Sequence, residues 1–390
     1  MNFDEEIERR GTHSMKWDMM QARHGVSPDD GLPMWVADMD FRPPECVQRA
    51  LEGMLAHGVY GYFGDDSAYN EAIIWWMRER HSWQIRPEWI TTTHGLVNAT
   101  GLCVQTWTQP GDGVVLFTPV YHAFARVIRA AGRQVVECPL VDRGGRMTMD
   151  FAAYDSLMTR RERMVILCSP HNPGGQVWTA EELQGAADFA ARHGMVLVSD
   201  EIHHDLVMPG HRHLAMPVAV PDSLDRLVML TATTKSFNLA GGLTGNVIIP
   251  DDGLRARFQA TLAGLGISGN AFGKTMATAA YSPEGAAWID ALMVYLDGNR
   301  QLFEEGVGAI PGLSVTPLQA TYLEWVDFAG TGMSMDEARR RVEREARIAV
   351  NHGPDFGKGG ESFLRFNIAT PRARVEQAVA RLRAAFADLQ

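Results

Sequence analysis

Three short apolar segments, each followed by a polar group, are the feature that most constrains the fold of this chain. The segments are residues 164–167, 195–198 and 227–230. They precede Asn172, Asp200 and Lys235, in that order. In an open parallel sheet, ligands bind outside the carboxyl ends of the strands. The pattern therefore predicts a parallel sheet with an amide, a carboxylate and an amine along one edge.

An amide, a carboxylate and an amine are the groups that pyridoxal 5′-phosphate (PLP) needs. PLP acts as an electron sink, held as a Schiff base on a lysine with an acidic partner at its ring nitrogen. Lys235 is predicted to form that Schiff base and, once substrate displaces it, to take the α-proton as general base. Asp200 is predicted to keep the ring nitrogen protonated, because opposite charges in contact favour both ionised forms. Asn172 is expected to donate to the phenolic oxygen, and His203 to order the same edge.

Each of these residues has an ordinary explanation when it stands alone. A lysine after a strand usually lies on the surface, and Asn-Pro-Gly-Gly at residues 172–175 is also a common turn. Their occurrence in one order, each at a predicted strand end, favours the cofactor site over these alternatives.

The motifs around these residues resemble the fold-type I PLP-dependent enzymes of the class I and II aminotransferase-like superfamily. Within that superfamily the chain is similar to the MalY/PatB-type cystathionine β-lyase branch. The motifs that carry the resemblance are residues 35–41 (Trp-Val-Ala-Asp-Met-Asp-Phe), 60–62 (Tyr-Gly-Tyr), 200–203 (Asp-Glu-Ile-His), 235–238 (Lys-Ser-Phe-Asn) and 321–325 (Thr-Tyr-Leu-Glu-Trp). The resemblance implies an α/β fold of the aspartate aminotransferase-like type, with a mostly parallel sheet in a large domain and a smaller α+β domain.

The order of predicted elements indicates how the chain is divided. Strands and helices alternate from residue 95 to about residue 249, which is typical of a parallel sheet with helical crossovers. The elements predicted later in the chain are a strand near residues 321–326 and helices at residues 289–303, 335–345 and 374–389. We expect residues 46–284 to form the large PLP-binding domain, and residues 1–45 with 285–390 to form the small domain. A chain of 390 residues is long enough for two domains.

A glycine between a predicted strand and a predicted helix is the candidate phosphate cradle. Gly95 permits close backbone approach, and a helix N-terminus offers free N–H groups and the positive end of a dipole. The resemblance implies that Gly95, Leu96 and Val97 bind the cofactor phosphate through their backbone. The hydroxyl of Thr234 is expected to add a further donor. A tight turn without a ligand is the alternative.

Two tyrosines are assigned roles mainly by the resemblance. Tyr121 follows the strand-like residues 114–117 at the same edge, and its flat ring is expected to stack on the cofactor and take part in catalysis. Tyr62 matches the tyrosine that, in this superfamily, reaches the phosphate of the neighbouring subunit. The resemblance therefore implies a homodimer with shared active sites.

Substrate recognition requires a cation for the α-carboxylate. Arg365 alternates with apolar neighbours in residues 363–367, and its planar fork pairs with a carboxylate through two hydrogen bonds. The resemblance implies that Arg365 binds the α-carboxylate beside Asn172, and that residues 35–38, with Trp35 and Asp38, line the pocket. Asp38 is expected either to contact a distal amino group or to have a structural role.

The same residues support either β-elimination or transamination. Many aminotransferases carry an arginine eight residues after the Schiff-base lysine, whereas this chain has Leu243 and resembles the lyase branch in lacking the arginine. We expect a carbon–sulfur β-lyase that cleaves L-cystathionine or a related cysteine S-conjugate to a thiol, pyruvate and ammonia. The alternatives are an aminotransferase for an apolar or aromatic amino acid and a PLP-binding regulator that acts through protein contacts.

Composition narrows the class of partner. A spread-out net charge of −11 disfavours nucleic acid, and no segment approaches the about twenty apolar residues of a membrane span. The N-terminus is acidic and lacks the apolar core of a signal peptide. The four cysteines (Cys46, Cys103, Cys138 and Cys168) have neither paired nor metal-type spacing, so we expect a reducing cytoplasm. The histidines at residues 203–204 and 211–213 have no further ligands near them in sequence, so no metal is predicted.

Overall fold

The structure, a computed structural model, describes residues 1–389. Within those residues the strands are β1 (Leu32–Pro33), β2 (Ile90–Thr93), β3 (Gly113–Thr118), β4 (Gln134–Pro139), β5 (Val141–Asp142), β6 (Met147–Thr148), β7 (Glu162–Cys168), β8 (Val196–Asp200), β9 (Leu227–Thr231), β10 (Gly245–Ile248), β11 (Ser314–Val315), β12 (Leu323–Asp327), β13 (Ile348–Ala349), β14 (Asn351–His352) and β15 (Phe363–Asn367). The α-helices are α1 (Met15–Asp18), α2 (Met20–His24), α3 (Glu45–His57), α4 (Ser67–His81), α5 (Leu96–Trp107), α6 (His122–Ala130), α7 (Phe151–Asp155), α8 (Ala180–Arg192), α9 (Met216–Ala219), α10 (Thr233–Ser236), α11 (Asp252–Gly264), α12 (Ala271–Ala280), α13 (Pro283–Gly308), α14 (Met335–Arg340) and α15 (Arg372–Ala385).

The large sheet has seven strands in the order β2–β10–β9–β8–β7–β3–β4. Strands β4, β3, β7, β8 and β9 run parallel, whereas β10 is antiparallel to both β9 and β2. Every residue of β3 and β9 is buried, because apolar clusters cover both faces of the sheet. The predicted mostly parallel sheet of the α/β class is confirmed.

The direction of the strands creates one polar edge. Since β2 and β9 are both antiparallel to β10, β2 points the same way as the parallel strands. The carboxyl ends of β2, β3, β7, β8 and β9 therefore meet at one edge of the sheet, where β10 begins. The loops and helices that leave these ends carry most of the predicted site residues.

A second sheet gathers the C-terminal part of the chain. It is antiparallel with the order β11–β12–β15–β14, and apolar side chains of α13 and α15 belong to the core on which it packs. The N-terminal segment joins it through the parallel pair β1–β13, in which Leu32 lies opposite Ile348. The exact domain boundaries at residues 45/46 and 284/285 stay a prediction.

The C-terminal elements differ from their predicted bounds at the ends. Helix α13 begins earlier than the predicted residue 289, because Ser282 Oγ caps the amide of Gly285 at 3.2 Å and a proline occupies the first helical position. The predicted helix at residues 335–345 is α14 followed by a π-helical turn at Arg341–Glu345. Among the helices of residues 1–389, none is both long and apolar enough to cross a lipid bilayer.

Candidate active site

A cavity of about 170 Å³ lies at the polar edge of the large sheet. The predicted residues that line it are Gly95, Leu96, Val97, Tyr121, Asn172, Asp200, His203, Thr234 and Lys235. Asp200 is the last residue of β8, and the others come from segments that follow β2, β3, β7, β8 and β9. The structure therefore brings together side chains that are far apart in sequence, as the strand-end pattern predicted.

Lys235 lies on the short helix α10 directly after β9. Its Nζ donates a hydrogen bond to the carbonyl oxygen of Ala37 at 2.6 Å, and the hydroxyl of Tyr322 donates to the same oxygen at 3.1 Å. Burial lowers the pKa of Lys235 to about 8. The amine is therefore held in place by a neutral acceptor and is more readily deprotonated than a surface lysine, as a nucleophilic lysine requires.

Asp200 ends β8 and is buried. Its Oδ1 accepts the backbone N–H of Ile202 at 3.1 Å, and no lysine, arginine or histidine of residues 1–389 lies within ion-pair distance of it. Burial raises the pKa of Asp200 from 3.8 to about 7. A buried carboxylate with so little compensation is suited to a cationic ligand group, which would favour its ionised form.

Arg365, on β15, is a buried cation whose hydrogen bonds all go to neutral oxygens. Its Nη1 donates to Asn172 Oδ1 at 2.9 Å, while Nη2 donates to Asn351 Oδ1 at 2.6 Å and to the carbonyl of Trp35 at 3.0 Å. Its buried Nε has no partner among the described residues, and burial lowers the pKa of Arg365 to about 10. Arg365 therefore suits an anionic ligand. It does not line the cavity itself, and its hydrogen bond to Asn172 connects it to the cavity wall.

The N-terminus of α5 forms the opposite end of the cavity. Gly95 precedes the helix with φ +83°, and no heavy atom outside residues 94–96 lies within 4 Å of the place that a Cβ would occupy. The first amides of a helix have no acceptor within the helix, so those of Leu96 and Val97 are available to an anion. Leu243 lines the same cavity with φ +44°, a left-handed conformation that is uncommon outside glycine.

His203 and Tyr121 complete the cavity wall. His203 is buried, its Nδ1 has no partner in residues 1–389, and burial followed by the charge of Lys235 holds its pKa well below its ordinary value. It is therefore a neutral imidazole. The ring of Tyr121 meets Phe124 edge-on at 5.5 Å, and burial raises the pKa of Tyr121.

The N-terminal segment at residues 35–41 is held across the site by asparagines that sequence reasoning did not single out. Asn238 accepts the amide of Met39 and donates to the carbonyls of Met39 and Phe41, all at 2.9 Å. Asn367 donates to the carbonyls of Val36 and Asp38 at 2.6 Å. Asn238 belongs to the Lys-Ser-Phe-Asn motif. Its position three residues after Lys235 was the sequence signal that could have identified it as a site residue.

Four predicted site residues do not line the cavity, namely Arg365, described above, Asp38, Trp35 and Tyr62. The carboxylate of Asp38 is bound by both Nη atoms of Arg9, at 2.9 and 3.2 Å, and its contact with a distal amino group stays a prediction. Trp35 donates its indole N–H to the carbonyl of Lys16 at 2.9 Å and contributes its own carbonyl to Arg365. Tyr62 is fully exposed, and its predicted reach to a neighbouring subunit stays a prediction.

The unsatisfied groups of the site fit PLP and an amino-acid substrate. Asp200 lacks a cation, which the ring nitrogen would supply, and Arg365 lacks an anion, which a substrate carboxylate would supply. The space around Gly95 and the free amides of α5 suit the phosphate. Each unsatisfied group thus corresponds to one part of the cofactor and its substrate.

Comparison with known proteins agrees with this arrangement. The family model of aminotransferase class I and II matches residues 35–382. Cystathionine beta-lyase PatB of Bacillus subtilis is 39% identical over 388 residues, covering 99% of this chain and 100% of PatB. Protein MalY of Escherichia coli is 32% identical over 98% of this chain and 97% of MalY. The crystal structure of cystalysin from Treponema denticola, which contains PLP, superimposes with a TM-score of 0.95 at 33% identity, covering 100% of this chain and 99% of cystalysin.

Proposed function

The chain belongs to the aminotransferase class I and II family, and on that premise we propose that it is a PLP-dependent carbon–sulfur β-lyase. It cleaves L-cystathionine or a related cysteine S-conjugate to a thiol, pyruvate and ammonia. The observation that carries the proposal is that a chain matched from end to end by a cystathionine β-lyase holds Lys235, Asp200 and Arg365 in and beside one cavity.

The cavity supplies a binding group for each part of PLP. Lys235 would hold the cofactor covalently through Nζ, and Asp200 would pair with its ring nitrogen. The other contributors are Asn172 and His203 at the phenolic oxygen, Tyr121 against the ring, and Gly95, Leu96, Val97 and Thr234 around the phosphate. When bound, PLP supplies an electron sink that stabilises negative charge at the substrate Cα.

Proton transfer is assigned to Lys235. With a pKa lowered to about 8 by burial, its Nζ is partly neutral near neutral pH and takes the α-proton of the substrate. The carbonyl of Ala37, 2.6 Å from Nζ, accepts a hydrogen bond from the ammonium form and holds it in place. The proton held at Nζ is then available to the departing sulfur.

Arg365 orients the substrate. Asn172, Asn351 and the carbonyl of Trp35 fix the guanidinium before any ligand arrives, so little side-chain entropy is lost on binding. With a pKa of about 10, the group stays charged at neutral pH. A substrate carboxylate paired with Arg365 would set the position of Cα relative to Lys235.

A homodimer with shared active sites is part of the proposal. The segment at residues 59–63 exposes the apolar and aromatic side chains Val59, Tyr60, Tyr62 and Phe63. Such a cluster on one loop suits a protein partner. A second copy of the chain would cover it and bring Tyr62 to the phosphate end of the partner's cavity.

We also place the protein in the cytoplasm. Cys46, Cys103, Cys138 and Cys168 are all free thiols. Burial raises the pKa of Cys103, Cys138 and Cys168, so these thiols are unreactive. Four unpaired cysteines suit a reducing compartment.

The test measures pyruvate and free thiol released from L-cystathionine by the PLP-loaded protein, with no keto acid added. We expect equal amounts of pyruvate and homocysteine over many turnovers, because elimination regenerates the active protein. Transamination would stop after one turnover without an amino acceptor. Activity that requires added 2-oxoglutarate or pyruvate would replace the lyase proposal with an aminotransferase.

A further inference from the structure

A second cavity, of about 400 Å³, adjoins residues that neighbour the active-site groups in sequence. Its walls come from the end of α4, the turn after β8 and residues 208–215, and they include His81, His204, Asp205, His211 and His213. We call it the imidazole pocket. The proposed lyase reaction uses none of these five side chains.

Two imidazoles in this pocket share one carboxylate. His81 Nε2 lies 2.9 Å from Asp205 Oδ1, and His204 Nε2 lies 3.3 Å from Asp205 Oδ2. The two rings are stacked, with centroids 3.9 Å apart and planes 13° apart. The three ligand atoms all lie within 4.8 Å of one another. Ligand atoms about 2.1 Å from one metal ion lie roughly 3 to 3.5 Å apart. A small shift of the three side chains would therefore bring their ligand atoms to coordination distance of one ion.

His204 is unsatisfied in this cluster. It is 2% exposed, and neither ring nitrogen makes a hydrogen bond to residues 1–389. Its Nε2 is close to Asp205 but is not aligned for a hydrogen bond. An unpaired buried polar group costs free energy, so a native structure that keeps one calls for an explanation. A bound ion would supply the missing partner.

The carboxylate of Asp205 is oriented by groups outside the trio. Trp76 donates to Oδ1 at 2.9 Å and Ser236 donates to Oδ2 at 2.6 Å. Such outer hydrogen bonds are what orient the ligands of metal sites.

We propose that His81, His204 and Asp205 bind a divalent transition-metal ion, with Zn²⁺ the expected occupant. Imidazole favours zinc and similar metals over Mg²⁺ and Ca²⁺, which prefer oxygen ligands. Three protein ligands leave a coordination position for water or another ligand, and all three residues line the imidazole pocket. His213 stays outside the set, because its Nε2 is held by Glu201 Oε2 at 2.8 Å.

The site would join two parts of the fold. His81 is the last residue of α4, whereas His204 and Asp205 lie in the turn after β8. A metal that binds the folded chain and not the unfolded one raises its stability. Zinc is therefore expected to raise the melting temperature in a concentration-dependent way.

The test titrates Zn²⁺ into chelator-treated, PLP-loaded protein by calorimetry. We expect one equivalent to bind, and His204→Asn to weaken that binding by at least about 100-fold. The matched control is His211→Ala, which removes an exposed histidine of the same pocket and is expected to leave the affinity unchanged within about threefold. Equal affinity in His204→Asn and wild type, or loss of binding in His211→Ala alone, would overturn the proposal.

Two further measurements keep the result decisive if His204→Asn folds poorly. The visible spectrum of Co²⁺ in the wild-type protein distinguishes protein-bound cobalt of low coordination number, which absorbs strongly, from hydrated cobalt, which absorbs weakly. Strong absorption that disappears in His81→Gln supports the site, and hydrated cobalt only would refute it. Lys235→Ala, which removes the lysine expected to hold PLP, is expected to keep the metal. The proposed metal site is thus tested independently of the proposed lyase activity.

Discussion

The active-site cavity and the imidazole pocket are built from residues that are neighbours in sequence. Their buried carboxyl groups nevertheless have pKa values shifted in opposite directions. Asp200 and Lys235 line the active-site cavity, whereas the next residues in sequence, Glu201 and Ser236, join the network around the imidazole pocket. Burial raises the pKa of Asp200 to about 7, but the pKa of Glu201 is lowered although Glu201 is equally buried. Burial alone therefore does not set the direction of the shift.

The number of donors explains the difference. Glu201 accepts hydrogen bonds from Ser199 at 2.8 Å, from the amide of Met216 at 2.9 Å and from His213 at 2.8 Å. Asp200 accepts the amide of Ile202 and no side chain of residues 1–389. Hydrogen bonds to the charged form offset desolvation, so the protein itself satisfies the carboxylate of Glu201. The carboxylate of Asp200 has few protein partners and is left for a ligand to satisfy.

The largest expected effect is on catalysis. Lys235→Ala removes the amine that holds PLP and moves the α-proton, so we expect thiol release to fall by at least ~10⁴-fold. The rate of pyruvate formation from L-cystathionine measures it. Retention of more than a few per cent of wild-type activity would show that another group takes the proton.

Asp200→Asn tests the buried carboxylate that has few hydrogen-bond partners. In the PLP-free protein the unfolded aspartate ionises above 3.8, whereas folded Asp200 stays protonated up to about 7. The contribution of Asp200 to wild-type stability is therefore fully present below pH 3.8 and falls as the pH rises toward 7. We expect the variant to stabilise the PLP-free protein near pH 7 by roughly 3 kcal/mol and to match wild type near pH 4.

Urea unfolding of PLP-free wild type and Asp200→Asn at both pH values measures this difference. The same variant, once loaded with PLP, is expected to bind it more weakly, because the ring nitrogen loses its anionic partner. A gain in stability that persists unchanged near pH 4 would contradict the argument from ionisation.

Arg365→Lys tests the cation that lacks an anion. A lysine keeps the charge but loses the fork that Asn172 and Asn351 hold in place, so we expect kcat/KM for L-cystathionine to fall by ~100-fold, mainly through KM. Steady-state kinetics separate the two constants. An unchanged KM would mean that the substrate carboxylate binds elsewhere.

Glu201→Gln tests the buried carboxylate that the protein satisfies. Its effect on the unfolding free energy is expected to be opposite in sign to that of Asp200→Asn. Because the folded pKa of Glu201 is lowered, its stabilising contribution is present above 4.5 and is lost as the pH falls further. We expect the variant to lose about 2 kcal/mol of unfolding free energy near pH 7 and to approach wild type in acid. Denaturant titrations at the two pH values, compared with those of Asp200→Asn, measure the contrast. A loss that is the same at both pH values would rule out ionisation as its cause.

Ser236→Ala is expected to have the smallest effect, although it lies next to Lys235. It removes the hydrogen bond to Asp205, at a cost of about 1 kcal/mol of unfolding free energy. We expect kcat to stay within about threefold of wild type, because the side chain joins the imidazole pocket and not the cavity. A drop in kcat as large as that of Lys235→Ala would mean that the two clusters act as one.

Local patterns in the sequence were sufficient for the sheet and for most of the cavity. Apolar runs predicted β7, β8 and β9, and the residues that follow them meet because parallel strands end at one edge. The position of Asn172, Asp200 and Lys235 at that edge therefore follows from strand direction alone. The Ser282-Pro283 pair at the start of α13 is an equally local signal, and it places the helix start earlier than the predicted residue 289.

Contacts between distant side chains were decided only by tertiary packing. The sequence places His81 and His204 more than one hundred residues apart, and nothing in the local pattern of either predicts a stacked pair on Asp205. Two other contacts also join residues that are distant in sequence. Arg9 binds the carboxylate of Asp38, and Lys235 and Tyr322 both donate to the carbonyl of Ala37. Strand ends are set by hydrophobic periodicity over a few residues, whereas these contacts depend on how whole elements pack, which no short segment encodes.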